Sequence, residues 1–137
     1  MLHLYFGADE FRIREALAEL RTRLVEDGLL ATNTTTLGAR GLTPQLLLQH
    51  VSTVPFLASA RLVIVEGLLA SGGGRDAVRT WTPLLEALPG IPPTNHLALI
   101  EPLSGRDGTS AFSRSALARA FREVPAAEVR EFRALPA

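Results

Sequence analysis

Four apolar residues in a row, Leu62-Val63-Ile64-Val65, three of them β-branched, constrain this chain more than any other feature. Such a run has no polar face to turn towards water, so a strand made of it must be covered on both sides. That is the condition of a parallel strand with helices above and below its sheet. Two other runs have the same character. Leu2 to Phe6 (LHLYF) is apolar at four of five positions and is stopped by Gly7. His96 to Ile100 (HLALI) follows the stiff turn Pro89 to Pro93. Asn33 to Leu37 (NTTTL) is polar but β-branched, which suits a strand near a sheet edge. Ala127 to Phe132 reads as a weaker fifth strand.

Helical patterns fill the intervals. Asp9 is placed to cap a helix whose first turn carries Glu10, where the dipole favours anions. Phe11, Ile13, Leu17, Leu20 and Leu24 recur mainly at three and four, predicting an amphipathic helix of about 18 residues that ends near Gly28. A second helix opens at Thr43 with Pro44 in its first position, where a missing N–H costs nothing. Leu47, Val51 and Val54 share one face of it, and Pro55 ends it. Asp76 to Leu88 repeats Val78, Trp81, Leu84, Leu85 and Leu88 at helical spacing, with Pro83 as an irregularity. Pro102 to Ser110 reads as a polar, Gly-containing loop. Ser113 or Ser115 then caps a last helix running to about Arg122, with Leu117, Ala118 and Phe121 inward. Strands and helices alternate, so the expected class is α/β: a mainly parallel five-stranded sheet with helices on both faces.

With 137 residues the chain fits one domain, and 47% hydrophobic residues provide for a sizeable core. No apolar run approaches the ~20 residues of a membrane span, so a cytoplasmic location is expected. There is no Cys, which removes disulfide and thiolate chemistry. All 14 basic residues are Arg; the chain has no Lys. That absence removes the phosphate-gripping Lys of a P-loop, a Schiff-base Lys and the Lys of a phosphorelay receiver. Fourteen acidic residues balance the charge, and a pI near 6.8 argues against a strong electrostatic footprint for nucleic acid.

The first strand-to-helix turn is where an α/β protein would hold phosphate. Here Phe6-Gly7-Ala8-Asp9-Glu10-Phe11 has a single Gly and two carboxylates where an anion would need donors. Asp9, Glu10 and Glu66 together suggest an acidic receiver-like pocket, but capping is the plainer role for Asp9. Ser71-Gly72-Gly73-Gly74-Arg75 reads as a flexible connector. His3, His50 and His96 fall on three separate elements without metal-ligand spacing. No nucleophile motif is present. No catalytic site, cofactor or metal is expected. The stretch Val54-Pro55-Phe56-Leu57 remains: large apolar side chains at a chain reversal, which either close the core or face a partner.

The segments LYFGADEFRIREAL, Leu42-Thr43-Pro44, Thr53 to Val65 (TVPFLASARLVIV), Leu99 to Pro102 and Val129 to Phe132 together resemble the N-terminal domain of the bacterial DNA polymerase III delta subunit. The resemblance runs over essentially the whole chain, and its force lies in the ordered series rather than in any one motif. It implies an AAA+-like fold without a functional P-loop, sheet order 5-1-4-3-2, and one N-terminal domain (residues 1–137) cut from a longer chain. It also implies a part in DNA replication. The family's subunit belongs to the clamp loader of a nucleotidyltransferase, the polymerase III holoenzyme. It binds the sliding clamp (the beta subunit) through apolar side chains and helps open it. Other loader subunits are met through the full-length chain, and DNA indirectly or weakly. Carried over, the clamp-binding residues are Val54, Phe56 and Leu57, with Pro55 shaping the turn. Ser52 stands where some relatives have Gln, and Phe56-Leu57 reverses the aromatic order of some. The alternatives left open are an atypical nucleotide hydrolase and a receiver-like regulatory domain.

Overall fold

A computed structural model describes residues 1–24, 31–70 and 76–134. The expected helix end near Gly28, the Ser71–Gly74 connector and the final Leu135-Pro136-Ala137 lie outside the described residues. Five strands form one sheet: β1 (Leu2–Gly7), β2 (Thr34–Gly38), β3 (Arg61–Glu66), β4 (Asn95–Pro102) and β5 (Glu128–Phe132). Every pairing is parallel, and the order is β2-β3-β4-β1-β5. This is the implied 5-1-4-3-2. It also disposes of the receiver-like alternative, since a receiver sheet has the order 2-1-3-4-5, with β1 beside β2.

Alternation along the strands divides the core. Leu4 and Phe6 of β1, Val63 and Val65 of β3 and Leu97 and Leu99 of β4 face α2 (Pro44–Ser52), α3 (Ala77–Ala87) and α5 (Ala116–Arg122). Tyr5, Ile64, Ala98, Ile100 and Phe132 face α1 (Glu10–Leu24). The three central strands are therefore sealed on both sides, as their composition requires. α1 is laid down by Ile13, Ala16, Leu17 and Leu20. Phe11, expected inward, is 73% exposed. Two positions before Ile13 it stands about 200° around the helix from it, on the far side from the sheet.

The segment expected to be a polar loop after β4 is instead α4 (Gly105–Arg114). Gly105, Gly108 and Ser110 give it poor intrinsic propensity, so it is tertiary packing that sustains it. Phe112 is buried and stacks on Phe6 of β1 with ring centroids 4.6 Å apart. Ser115 then caps α5, its hydroxyl accepting from the Ala118 N–H at 3.1 Å. α3 continues through Pro83 without interruption.

β1 ends at a point where the chain has no room. Gly7 has φ +141°, and a Cβ there would stand 2.1 Å from the carbonyl oxygen of Phe132 on β5. Gly7→Ala is expected to cost about 3 kcal/mol through strained backbone and overpacking together, read as a lowered midpoint in urea unfolding. An unchanged midpoint would mean that β5 does not lie against Gly7 as described.

Candidate functional site

The apolar reversal is built where α2 turns back into β3. Leu47 and Val51 seat α2 in the core, and Thr43 caps it, its hydroxyl oxygen accepting from the Leu46 N–H at 3.1 Å. The helix stops at Ser52, and Thr53 is already extended. Val54 therefore does not share the buried face of Leu47 and Val51, contrary to the heptad-like spacing; Pro55 restricts the residue before it to extended backbone. The last carbonyls of a helix have no partners of their own. Here Asn95, at the start of β4, donates from Nδ2 to the Val51 carbonyl at 2.7 Å and to the Thr53 carbonyl at 2.9 Å. Arg61 donates from Nε to the His50 carbonyl at 2.9 Å.

Beyond the helix, Asn33, just before β2, takes both polar groups of the Phe56 backbone. Its Nδ2 donates to the Phe56 carbonyl at 3.0 Å, and its Oδ1 accepts the Phe56 N–H at 2.5 Å. Both asparagines are 1% exposed. Leu57 follows in the left-handed region with φ 54°, an uncommon conformation for a branched side chain. Val54, Phe56 and Leu57 are 68%, 67% and 74% exposed, and Pro55 is half-buried between them. The four sequence-derived residues thus sit together on one tip, three of them facing solvent. No Asp or Glu occurs from Gly28 to Val65, so docking of the tip would desolvate no carboxylate of its own segment. Nothing in the sequence pointed to the two asparagines: a lone Asn beside a strand resembles any turn residue, and the tip carbonyls they hold lie more than twenty positions away.

The opposite pole, at the carboxyl ends of the strands, is occupied by the protein's own groups. The Asp9 N–H donates to the Phe132 carbonyl at 3.1 Å, and the Asp9 carboxylate accepts from the Arg12 N–H at 3.1 Å. Two donors that an anion would use are thus already taken. Glu66 and Glu10 do not form an open acidic pocket, because Arg14 bridges them, hydrogen-bonding both Glu66 oxygens and Glu10 at 3.1 Å. A hollow of about 490 Å³ nearby is lined by Arg106 and Arg133 among others, but also by Glu131, which lies 3.4 Å from Arg133. Among the described residues, no group of three or more His, Asp or Glu side chains is arranged to hold a metal.

Two of the three histidines, read separately in the sequence, meet in the sheet. His3 Nε2 lies 2.9 Å from His96 Nδ1, and His3 Nδ1 lies 2.6 Å from Glu128, which also accepts from the Tyr5 hydroxyl at 2.7 Å. Burial lowers the pKa of both imidazoles, that of His96 to about 4. Two neutral rings complete this chain of hydrogen bonds, and His3 is too buried to reach a substrate. The cluster joins β1, β4 and β5.

The family model of the DNA polymerase III delta subunit matches residues 3–117. The chain belongs to the DNA polymerase III delta subunit family. Among solved structures, the Bacillus subtilis DNA clamp loader delta protein is similar, with a TM-score of 0.70 at 16% identity. The alignment covers 98% of this chain and 38% of that one, so the likeness is one of fold, over a minor part of the longer protein. No curated protein matches the chain. No helix among the described residues is long and apolar enough to cross a membrane. In this delta family member, the tip and the closed upper pole lie at opposite ends of one sheet.

One titratable group braces that upper pole. Glu101, near the end of β4, is buried and accepts from the backbone N–H groups of Leu69 at 2.5 Å and Ala70 at 3.3 Å. Burial outweighs these hydrogen bonds and raises its pKa from 4.5 to about 7. The folded state then holds this proton more tightly than the unfolded chain, so the stability Glu101 contributes is complete below pH 4.5 and is lost as pH rises through 7. Relative to wild type, Glu101→Gln is expected to gain up to about 3 kcal/mol between pH 5 and pH 8. Paired thermal melts across that range check it, and a gap that stays flat or runs the other way refutes it.

Proposed function

We propose that this chain is the clamp-binding domain of a replication clamp loader, using Val54, Phe56 and Leu57 as anchors in an apolar pocket on the sliding clamp, with Pro55 setting the turn. The observation that carries the reading is the exposure of all three side chains on a tip whose backbone is hydrogen-bonded from beneath. Large apolar side chains held in water at one place are the usual source of affinity in a small interface. Burying two of them gains roughly 3–6 kcal/mol before the costs of association. Family membership supports the choice of partner.

The work done is energetic rather than catalytic. A ligand shifts the clamp between closed and open forms only by the difference in its affinity for the two. Residues 1–137 form a single N-terminal AAA+-like domain on this reading, and this domain hydrolyses no nucleotide. The other loader subunits are met through further parts of the family's full chain, DNA is touched indirectly or weakly, and the setting is cytoplasmic.

Phe56→Ala and Leu57→Ala are each expected to weaken binding to the cognate clamp at least tenfold in surface-immobilised binding measurements, with the circular dichroism spectrum unchanged. Loss of the folded spectrum in either variant would return these side chains to the core. Saturable micromolar binding of ATP would favour the hydrolase alternative instead.

A further inference from the structure

The anchors of the tip depend for their placement on a buried side chain beneath them. We propose that Asn33 is a positioning residue for clamp binding, holding Phe56 and Leu57 in their binding geometry before the clamp arrives; this rests on the clamp-binding reading above. Asn33 is buried, and its amide satisfies both the N–H and the C=O of Phe56, at 2.5 and 3.0 Å. The contact spans 23 positions in sequence, so no local turn produces it. The reciprocal pair imitates the exchange between strands in a ladder and needs a donor and an acceptor on one short planar group. Aspartate lacks the donor, and serine offers one atom in place of two.

Fixing that peptide unit fixes the direction in which the Phe56 side chain leaves the backbone. It also bears on the next residue. Leu57 is held at φ 54°, where the Cβ of an L-residue crowds its own backbone, so an unheld chain would relax away from it. The left-handed step places Leu57 beside Phe56 on the exposed side of the tip. Below the tip, Asn95 holds the carbonyls of Val51 and Thr53. Between the two asparagine contacts stand only Val54 and Pro55, and the proline ring sets its own φ. The tip is thus ordered during folding rather than on docking, which spares the association the entropy of ordering it.

The test uses the full-length delta protein carrying this chain, with its cognate clamp. In the free wild type, the Phe56 amide is expected to exchange with deuterium at least a hundredfold more slowly than an unprotected amide. Asn33→Ala is expected to weaken clamp binding about tenfold in the wild-type background, but less than twofold in a Phe56→Ala/Leu57→Ala background measured at high clamp concentration. Equal losses in both backgrounds would make Asn33 a general structural residue and overturn the proposal. An unprotected Phe56 amide in the wild type overturns it even where Asn33→Ala does not fold. If Phe56→Ala and Leu57→Ala weaken binding while Asn33→Ala does not, only this proposal fails. If neither anchor substitution matters, the clamp-binding reading fails first.

Discussion

The structure depends on the burial of β4 between β3 and β1. From Leu97 to Ile100 every side chain of this strand is excluded from water, Leu97 and Leu99 on one face and Ala98 and Ile100 on the other. Its backbone is satisfied by parallel ladders on both sides. Both faces must then be covered, and the crossovers of a parallel sheet bring the helices that cover them. α1 takes one face, while α2, α3 and α5 take the other. Even α4, whose own residues favour no helix, is held because Phe112 completes the layer against Phe6.

The same demand creates the tip. Parallel order obliges the chain to return to the amino-terminal end of the sheet before β3, and α2 makes that return with Leu47 and Val51 in the core. Once Val51 is seated, the chain must leave the helix and enter β3 at Arg61 within a few residues. The last-turn carbonyls of α2 would be orphans at this corner, and Asn95 and Arg61 supply donors there, while Asn33 takes the Phe56 peptide farther along the reversal. Backbone satisfaction by side chains frees the apolar residues of the reversal from any packing duty. Val54, Phe56 and Leu57 can then stand in water without loss to the fold.

The strands were legible because their apolar runs leave no other reading: β1, β3 and β4 fall where the sequence puts them, to within two residues at either end. β2 was legible for the opposite reason, its threonines tolerating an edge. Strand order was not readable from periodicity, since each parallel crossover can in principle set its next strand on either side; the resemblance to the delta family supplied it. Phe11 and Val54 were misplaced for different reasons. Phe11 lies inside α1, but two positions from Ile13 it stands on the opposite side of the helix. Val54 lies beyond the end of α2 at Ser52, and spacing does not show where a helix ends. Asn33, Asn95 and the meeting of His3 with His96 were invisible, because each is a contact between distant strand ends and leaves no local pattern.

The two poles of this sheet are finished in different ways. At the upper pole, Asp9, Arg14, Glu66 and Glu101 are engaged with one another or with backbone groups. At the lower pole the backbone is satisfied and the side chains are not. On the proposed clamp-binding reading, this division has a physical use. A soft tip would adapt to a closed ring and an open ring alike, and equal affinity for both shifts nothing. On that reading, anchors held at fixed positions by a sealed sheet would fit one arrangement of their pocket better than another, and that difference in fit would be the whole of the free energy the tip could supply for opening a ring.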